Sequence, residues 1–221
     1  FFPGGNIGSL AVHGTVNDVC MSGAKPLYLS AAFILEEGFP LAELKRIVES
    51  MAQAAESAGV KIITGDTKVV ERGHGDGVYI NTTGIGILPK NLDLSPTQIQ
   101  AGDKVIISGT LGDHGTTIMS QRQGFDFSSA LESDSQALND LVAEMVSAIP
   151  KIRCMRDPTR GGLAAILHEL CDQRALGMLI SETSIPIKPE VNATAELLGL
   201  DPLYIANEGK LVAICPAEHA H

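Results

Sequence analysis

At 221 residues, 44% hydrophobic and 19% charged, with 23 glycines and 11 prolines, the chain can bury one large core or two modest ones, and its composition is that of a globular α/β protein rather than a disordered or fibrous one. A formal charge of -10 without any cluster of Lys and Arg excludes nucleic acid, which is bound by clustered cations that release counterions, but it suits a magnesium-nucleotide. No apolar stretch approaches the ~20 residues of a bilayer span and no basic segment with an apolar run opens the chain, so a membrane is excluded and a cytoplasmic location is expected.

After the turn-like Phe-Phe-Pro-Gly-Gly opening, residues 6–22 carry apolar positions at helical spacing and stop at Gly23. Pro26 then precedes a nearly continuous apolar run over 27–35, which suits a buried strand. The clearest periodicity covers 41–58, where Leu41, Leu44, Ile47, Val48, Met51, Ala54, Ala55 and Ala58 recur at three- and four-residue steps before Gly59. A short β-branched strand over 60–64 completes a strand-helix-strand unit. A further strand is expected over 78–88, with Gly84 and Gly86 marking a bulge or a close approach.

The composition turns polar over 89–103, which divides the chain into a first domain of residues 1–95 and a second of 96–221. The second reads as a strand over 104–108, helices over 113–122 and 136–148 separated by a polar loop over 126–135, a helix over 163–171, an extended segment over 178–181, a helix over 191–198 and a strand over 211–215. No internal repeat is visible. Cys20, Cys154, Cys171 and Cys215 are widely spaced among apolar neighbours with no CxxC pair, as expected of buried reduced thiols. A start at Phe1 without Met and an abrupt stop at His221 suggest that sequence is missing at both ends.

Five constellations could carry chemistry. Gly65-Asp66-Thr67-Lys68 follows the expected strand over 60–64, and ligands in open α/β sheets bind at the carboxyl ends of strands. Asp66 there suits magnesium and Lys68 suits phosphate oxygens, although an ordinary turn would use the same residues. Asn17-Asp18 places a carboxylate in an otherwise apolar helix, which a metal or a buried partner would compensate, or which a polar helix face would leave in water. Asp157-Pro158-Thr159-Arg160-Gly161-Gly162 opens a helix. Its free N–H groups and dipole attract anions and Arg160 could grip a phosphate, but the spacing is neither the P-loop nor the dinucleotide fingerprint, and Thr159 could simply cap the helix. His114, in Gly112-Asp113-His114-Gly115, is a candidate general base or a cap, and Glu208, in Asn207-Glu208-Gly209-Lys210, a candidate base or metal ligand or part of a hairpin turn. His74 is assigned to a solvated loop.

The order of these motifs is more specific than any of them alone. GTVNDVCMSGAKPLYLSAAFILEEGFP, GDTKVV, INTTGIG, SGTLGDHG, MRDPTRGGLA and IANEGK together resemble the HypE family of hydrogenase maturation factors, within the superfamily that also holds AIR synthase, selenophosphate synthetase and thiamine-monophosphate kinase. The resemblance spans essentially the whole chain. It implies an α/β (α+β) PurM-like two-domain architecture, in which the first domain forms a barrel with a second subunit and the second is an α/β sandwich with a ferredoxin-like core, with nucleotide lying across the dimer interface. It further implies ATP and Mg2+ as cofactors, Asp18 and Asp66 as magnesium ligands, and Lys68 at the phosphates. Asn17, Asp18, Asp66, Lys68, Asp157, Thr159, Arg160, Gly161 and Gly162 would bind the cofactor, with Lys68, His114 and Glu208 catalytic.

The implied reaction dehydrates a carbamoylated C-terminal cysteine to a thiocyanate. A HypF-like carbamoyltransferase would supply the carbamoyl group, and a HypC-HypD-like complex would receive the cyanide equivalent. Family members end in Pro-Arg-Ile-Cys, whereas this chain ends at His221 with Cys215 inside an apolar strand, so the chain alone is expected to carry the scaffold without completing turnover. The competing readings are a sibling synthetase such as selenophosphate synthetase and a non-catalytic docking module.

Overall fold

The computed structural model describes residues 1–124, 131–149, 151–172 and 175–220; of the polar loop expected over 126–135, only 131–135 fall within them. Asn6 begins the first helix, α1 (Ile7–Met21), as a capping box: its carboxamide accepts the Gly8 and Ser9 N–H groups while Ser9 Oγ accepts the Asn6 N–H. Gly23, at φ 79°, ends it. There follow β1 (Lys25–Glu36), α2 (Leu41–Ser57), β2 (Lys61–Val70) and β3 (Val78–Ile87). β1 is central in the order β2-β1-β3, parallel to β2 and antiparallel to β3. The β1-α2-β2 crossover is the expected strand-helix-strand unit.

β2 differs from its expected extent. It runs on to Val70 because the twelve residues of β1 offer ladder partners as far as Glu36, and the pairing carries Gly65, Asp66, Thr67 and Lys68 through as strand residues. That motif is therefore not a turn at a strand end. Both readings of the β3 glycines hold. A register shift lies in β1 between Pro26 and Tyr28, opposite Gly86 and Ile85, and a Cβ on Gly84 would come within 2.7 Å of Val19 and 2.9 Å of Thr15, so α1 rests directly on the strand.

A second sheet, β4-β6-β5, combines β4 (Lys104–Ile107), β5 (Cys154–Arg156) and the central, antiparallel β6 (Val212–Cys215). The three-residue β5 is too short to show a period and was not anticipated. Helices α3 (Asp113–Arg122), α4 (Asn139–Ala148), α5 (Gly162–Asp172) and α6 (Pro189–Leu198) complete this half. α4 starts at Asn139 rather than 136 because the backbone of Gln136 and Leu138 is engaged with Asn17. Residues 178–181 form no strand.

Helix α1 serves two cores. Val12 and Val16 pack with Leu29, Ile47 and Met51 under the first sheet, while Cys20 and Met21 pack with Val142, Met155 and Leu211 of the second half. Cys20, Cys154 and Cys215 are buried, Cys171 is half-buried, and all four are free. Because α1 joins the two halves, forcing it off β3 should be felt globally. Gly84→Val is expected to lower stability by about 1–3 kcal/mol through overpacking, read as a lower midpoint in urea at an unchanged slope.

Candidate functional site

Four segments meet along the line between the halves: the second half of α1, the turn from β5 into α5, the 207–210 loop before β6, and the extended segment 131–138 before α4. Two buried asparagines hold them. Asn17, 1% exposed, donates through Nδ2 to the carbonyls of Gln136 and Glu208 at 3.0 Å each and accepts the Leu138 N–H at 2.8 Å. Asn207, also 1% exposed, accepts the Gly112 N–H at 2.7 Å and donates to the carbonyls of Pro158 and Ile205. The residue after each is a carboxylate, Asp18 and Glu208, so both fasteners aim an acid at the same cleft.

Asp157, on the turn into α5, is the third. The turn is shaped by glycine: at Gly162, φ 60°, a Cβ would stand 2.5 Å from the Leu203 carbonyl oxygen, and the Gly162 N–H is already taken by Thr159 O. The three carboxyls feel one another. Burial, with help from Asp134, Asp157 and Asp18, pushes Glu208 up to about 7. Burial, then the Asp18 charge, pushes Asp157 up to about 6, against its own backbone amide and Arg156. Asp18 is raised by partial desolvation and held back by Arg156 and Arg160. A cleft with protonatable acids beside two guanidinium groups can bind an anion and accept a proton near neutrality.

Asp18, Asp157, Arg160 and Glu208 are thus brought together, with Thr159, Gly161 and Gly162 building the turn. Asn17, His114, Asp66 and Lys68 stand outside this group. Asn17 is sealed under the cleft, its carboxamide bound to Gln136, Leu138 and Glu208. His114 lies on the far side of segment 131–138: it is 8% exposed, its Nδ1 is 2.8 Å from Ser133 Oγ, and Phe2 packs edge-on against its ring. Burial lowers its proton affinity, with the nearby Asp134 charge opposing.

Asp66 and Lys68 do not join Asp18 either. In the ladder Asp66 pairs with Ala32 and Lys68 with Ile34, whose partners on the far side of β1 are Asn81 and Tyr79, on the sheet face opposite Leu29 and Ala31, which pack with α1 and α2. Within one chain the sheet separates the two proposed magnesium ligands, and among the described residues no group of three or more His, Cys, Asp or Glu is arranged to hold a metal. The exposed Asp18 carboxylate nevertheless fits a cation. Magnesium commonly takes only one or two carboxylates and completes its shell with phosphate and water, so Asp18 is the one carboxylate this cleft need supply when a nucleotide shares the ion. Segment 131–138 carried no sequence signal as a site-builder, and Asn207 stood only as the neighbour of Glu208 in its motif, since their part is played by backbone and buried side-chain hydrogen bonds.

Comparison with known proteins gives two consecutive family matches, AIR synthase related protein, N-terminal domain, over residues 1–88 and AIR synthase related protein, C-terminal domain, over residues 100–221. The carbamoyl dehydratase HypE of Azotobacter vinelandii is 63% identical over 220 residues, and the chain spans 64% of that relative's length. A solved HypE in complex with ATP superposes with a TM-score of 0.97 at 53% identity, covering 100% of this chain and 66% of that one. A solved HypE-HypF complex superposes at 0.96 with 50% identity, covering 100% and 72%. Among the described residues no helix is long and apolar enough to cross a membrane.

The raised Glu208 carboxyl has a consequence for stability. Between its ordinary value of 4.5 and about 7, the folded state keeps a proton that the unfolded state has lost, so stability falls as pH rises through that window. Urea midpoints measured from pH 4.5 to 8 should show this fall, and Glu208→Gln should flatten it. An equally steep fall in the variant would contradict the assignment.

Proposed function

Because this chain belongs to the HypE family of AIR synthase related proteins and has their PurM-like two-domain fold, we propose that the full-length protein uses ATP to dehydrate a carbamoylated C-terminal cysteine to a thiocyanate, in the making of the cyanide ligands of [NiFe]-hydrogenase. The observation that carries this reading is the convergence of Asp18, Asp157 and Glu208 beside Arg156 and Arg160, with Glu208 poised near 7.

The carboxamide oxygen attacks the γ-phosphorus of ATP and ADP leaves. Glu208 takes a proton from the amide nitrogen, the second N–H proton is then lost, and the C–O bond breaks with phosphate as leaving group, giving S–C≡N. Overall, carbamoyl thioester and ATP give thiocyanate, ADP, phosphate and one proton. Arg160 and the α5 turn suit the phosphates, and Lys68 supplies a charge where negative charge builds. Asp18 and Asp66 would hold magnesium, whose charge would screen the transferring phosphoryl group.

Since the sheet keeps Asp18 and Asp66 apart in one chain, the site requires two copies. The face carrying Asp66 and Lys68 also exposes Tyr28, Ile34, Tyr79, Ile85 and Ile87 at 41–64%, an apolar patch of the kind that a homodimer buries, with the barrel closed between the two copies. A HypF-like enzyme supplies the carbamoyl group, as the relative solved with HypF suggests, and a HypC-HypD-like complex accepts the product. The free thiols fit the cytoplasm.

Calorimetry of magnesium-ATP on the full-length protein tests the nucleotide site. Asp66→Asn and Lys68→Ala should each weaken binding at least about tenfold, as expected for loss of a charge-assisted contact, whereas Glu208→Gln should bind ATP and fail to turn over. Undiminished affinity in both Asp66→Asn and Lys68→Ala would overturn the assignment.

A further inference from the structure

Asp134 lies in none of the motifs, and its side chain is 2% exposed. Oδ1 accepts the Glu208 N–H at 3.1 Å. Oδ2 makes no hydrogen bond, yet the Lys210 ammonium, on an 11% exposed side chain, stands 3.4 Å away. Between these two residues is Gly209, where a Cβ would fall 1.8 Å from the Asp134 carbonyl oxygen, and whose own carbonyl accepts Gln136 Nε2 at 2.9 Å. A buried carboxylate is costly unless it is paired, and this one is paired on both flanks of the same short turn.

We propose that Asp134 is a positioning residue for Glu208: by holding the Glu208 N–H and the Lys210 ammonium it fixes both ends of the Glu208-Gly209-Lys210 turn, and with them the direction in which the Glu208 carboxylate meets the substrate. The proposal rests on the reading of Glu208 as proton acceptor. The charged groups around Glu208 are Asp134 from segment 131–138 with Lys210 paired to it and the titratable His114 of α3 near it, Asp157 from the turn into α5 with Arg156 near it, and Asp18 from α1 with Arg156 and Arg160 near it. The three carboxylates all oppose loss of the Glu208 proton.

Phosphate release is followed against pH in the full-length protein carrying the carbamoyl group on its terminal cysteine. Asp134→Asn removes a negative charge and leaves Lys210 unneutralised, so the acid limb moves to lower pH and the plateau rate falls roughly tenfold through misplacement of Glu208. Lys210→Met leaves the Asp134 charge unopposed, so the limb moves to higher pH. Opposite displacements at an unchanged magnesium-ATP affinity support the proposal, because general damage to the fold would not split the two variants by sign. A limb that stays in place in either folded variant, or moves the same way in both, overturns it; if Asp134→Asn does not fold, Lys210→Met carries the test alone. Glu208→Gln in the same assay separates the two layers: full turnover there removes Glu208 as acceptor and the premise with it, whereas lost turnover with unmoved limbs in the other variants refutes Asp134 alone.

Discussion

The architecture turns on the carboxamide of Asn17. It sits on the helix that the two cores share, and its three hydrogen bonds reach Gln136, Leu138 and Glu208. A buried amide that finds partners for its donors and acceptor stabilises modestly, but stripping it away would leave the buried Leu138 N–H unpaired, at about 1–3 kcal/mol, and release the Gln136 and Glu208 carbonyls. The two halves are therefore held in one register. Asp18 follows Asn17 directly and Glu208 is itself a partner of Asn17, so the spacing of the cleft's acids is a by-product of how the halves are joined.

The same economy recurs at Asn207, which ties the start of α3 to the turn bearing Asp157. The cleft is thus framed by uncharged, fully satisfied fasteners, and its carboxylates are left free to titrate. Crowding and burial raise their proton affinities toward neutrality, the condition a general base in an amide dehydration requires.

α1, α2 and β1 were legible in the sequence to within a few residues, because the two helices carry apolar positions at helical spacing with a glycine just beyond the end and β1 is a nearly continuous apolar run. β2 was read too short, since Gly65 and Asp66 look like a turn until a twelve-residue neighbour supplies ladder partners. The acids of the cleft were visible as motifs. The roles of Asn17 and His114 were not, because a side chain's contacts depend on what folds against it: Asn17 meets a segment more than a hundred residues away, and His114 is covered by Phe2 and Ser133. Asp134 gave no signal, as a single Asp in a polar stretch has no pattern.

On the proposed reading, in which Asp18 and Asp66 share a magnesium ion, their separation by the first sheet calls for a second copy. Full-length Asp18→Asn and Asp66→Asn proteins, each inactive alone, can be mixed and allowed to exchange subunits before ATP-dependent phosphate release is measured. Random pairing makes about half the dimers mixed, each with one intact site and one doubly altered site, so about a quarter of wild-type activity should return. If the mixture stays as inactive as its components while subunit exchange is demonstrated, Asp18 and Asp66 do not meet across two copies and the account is contradicted.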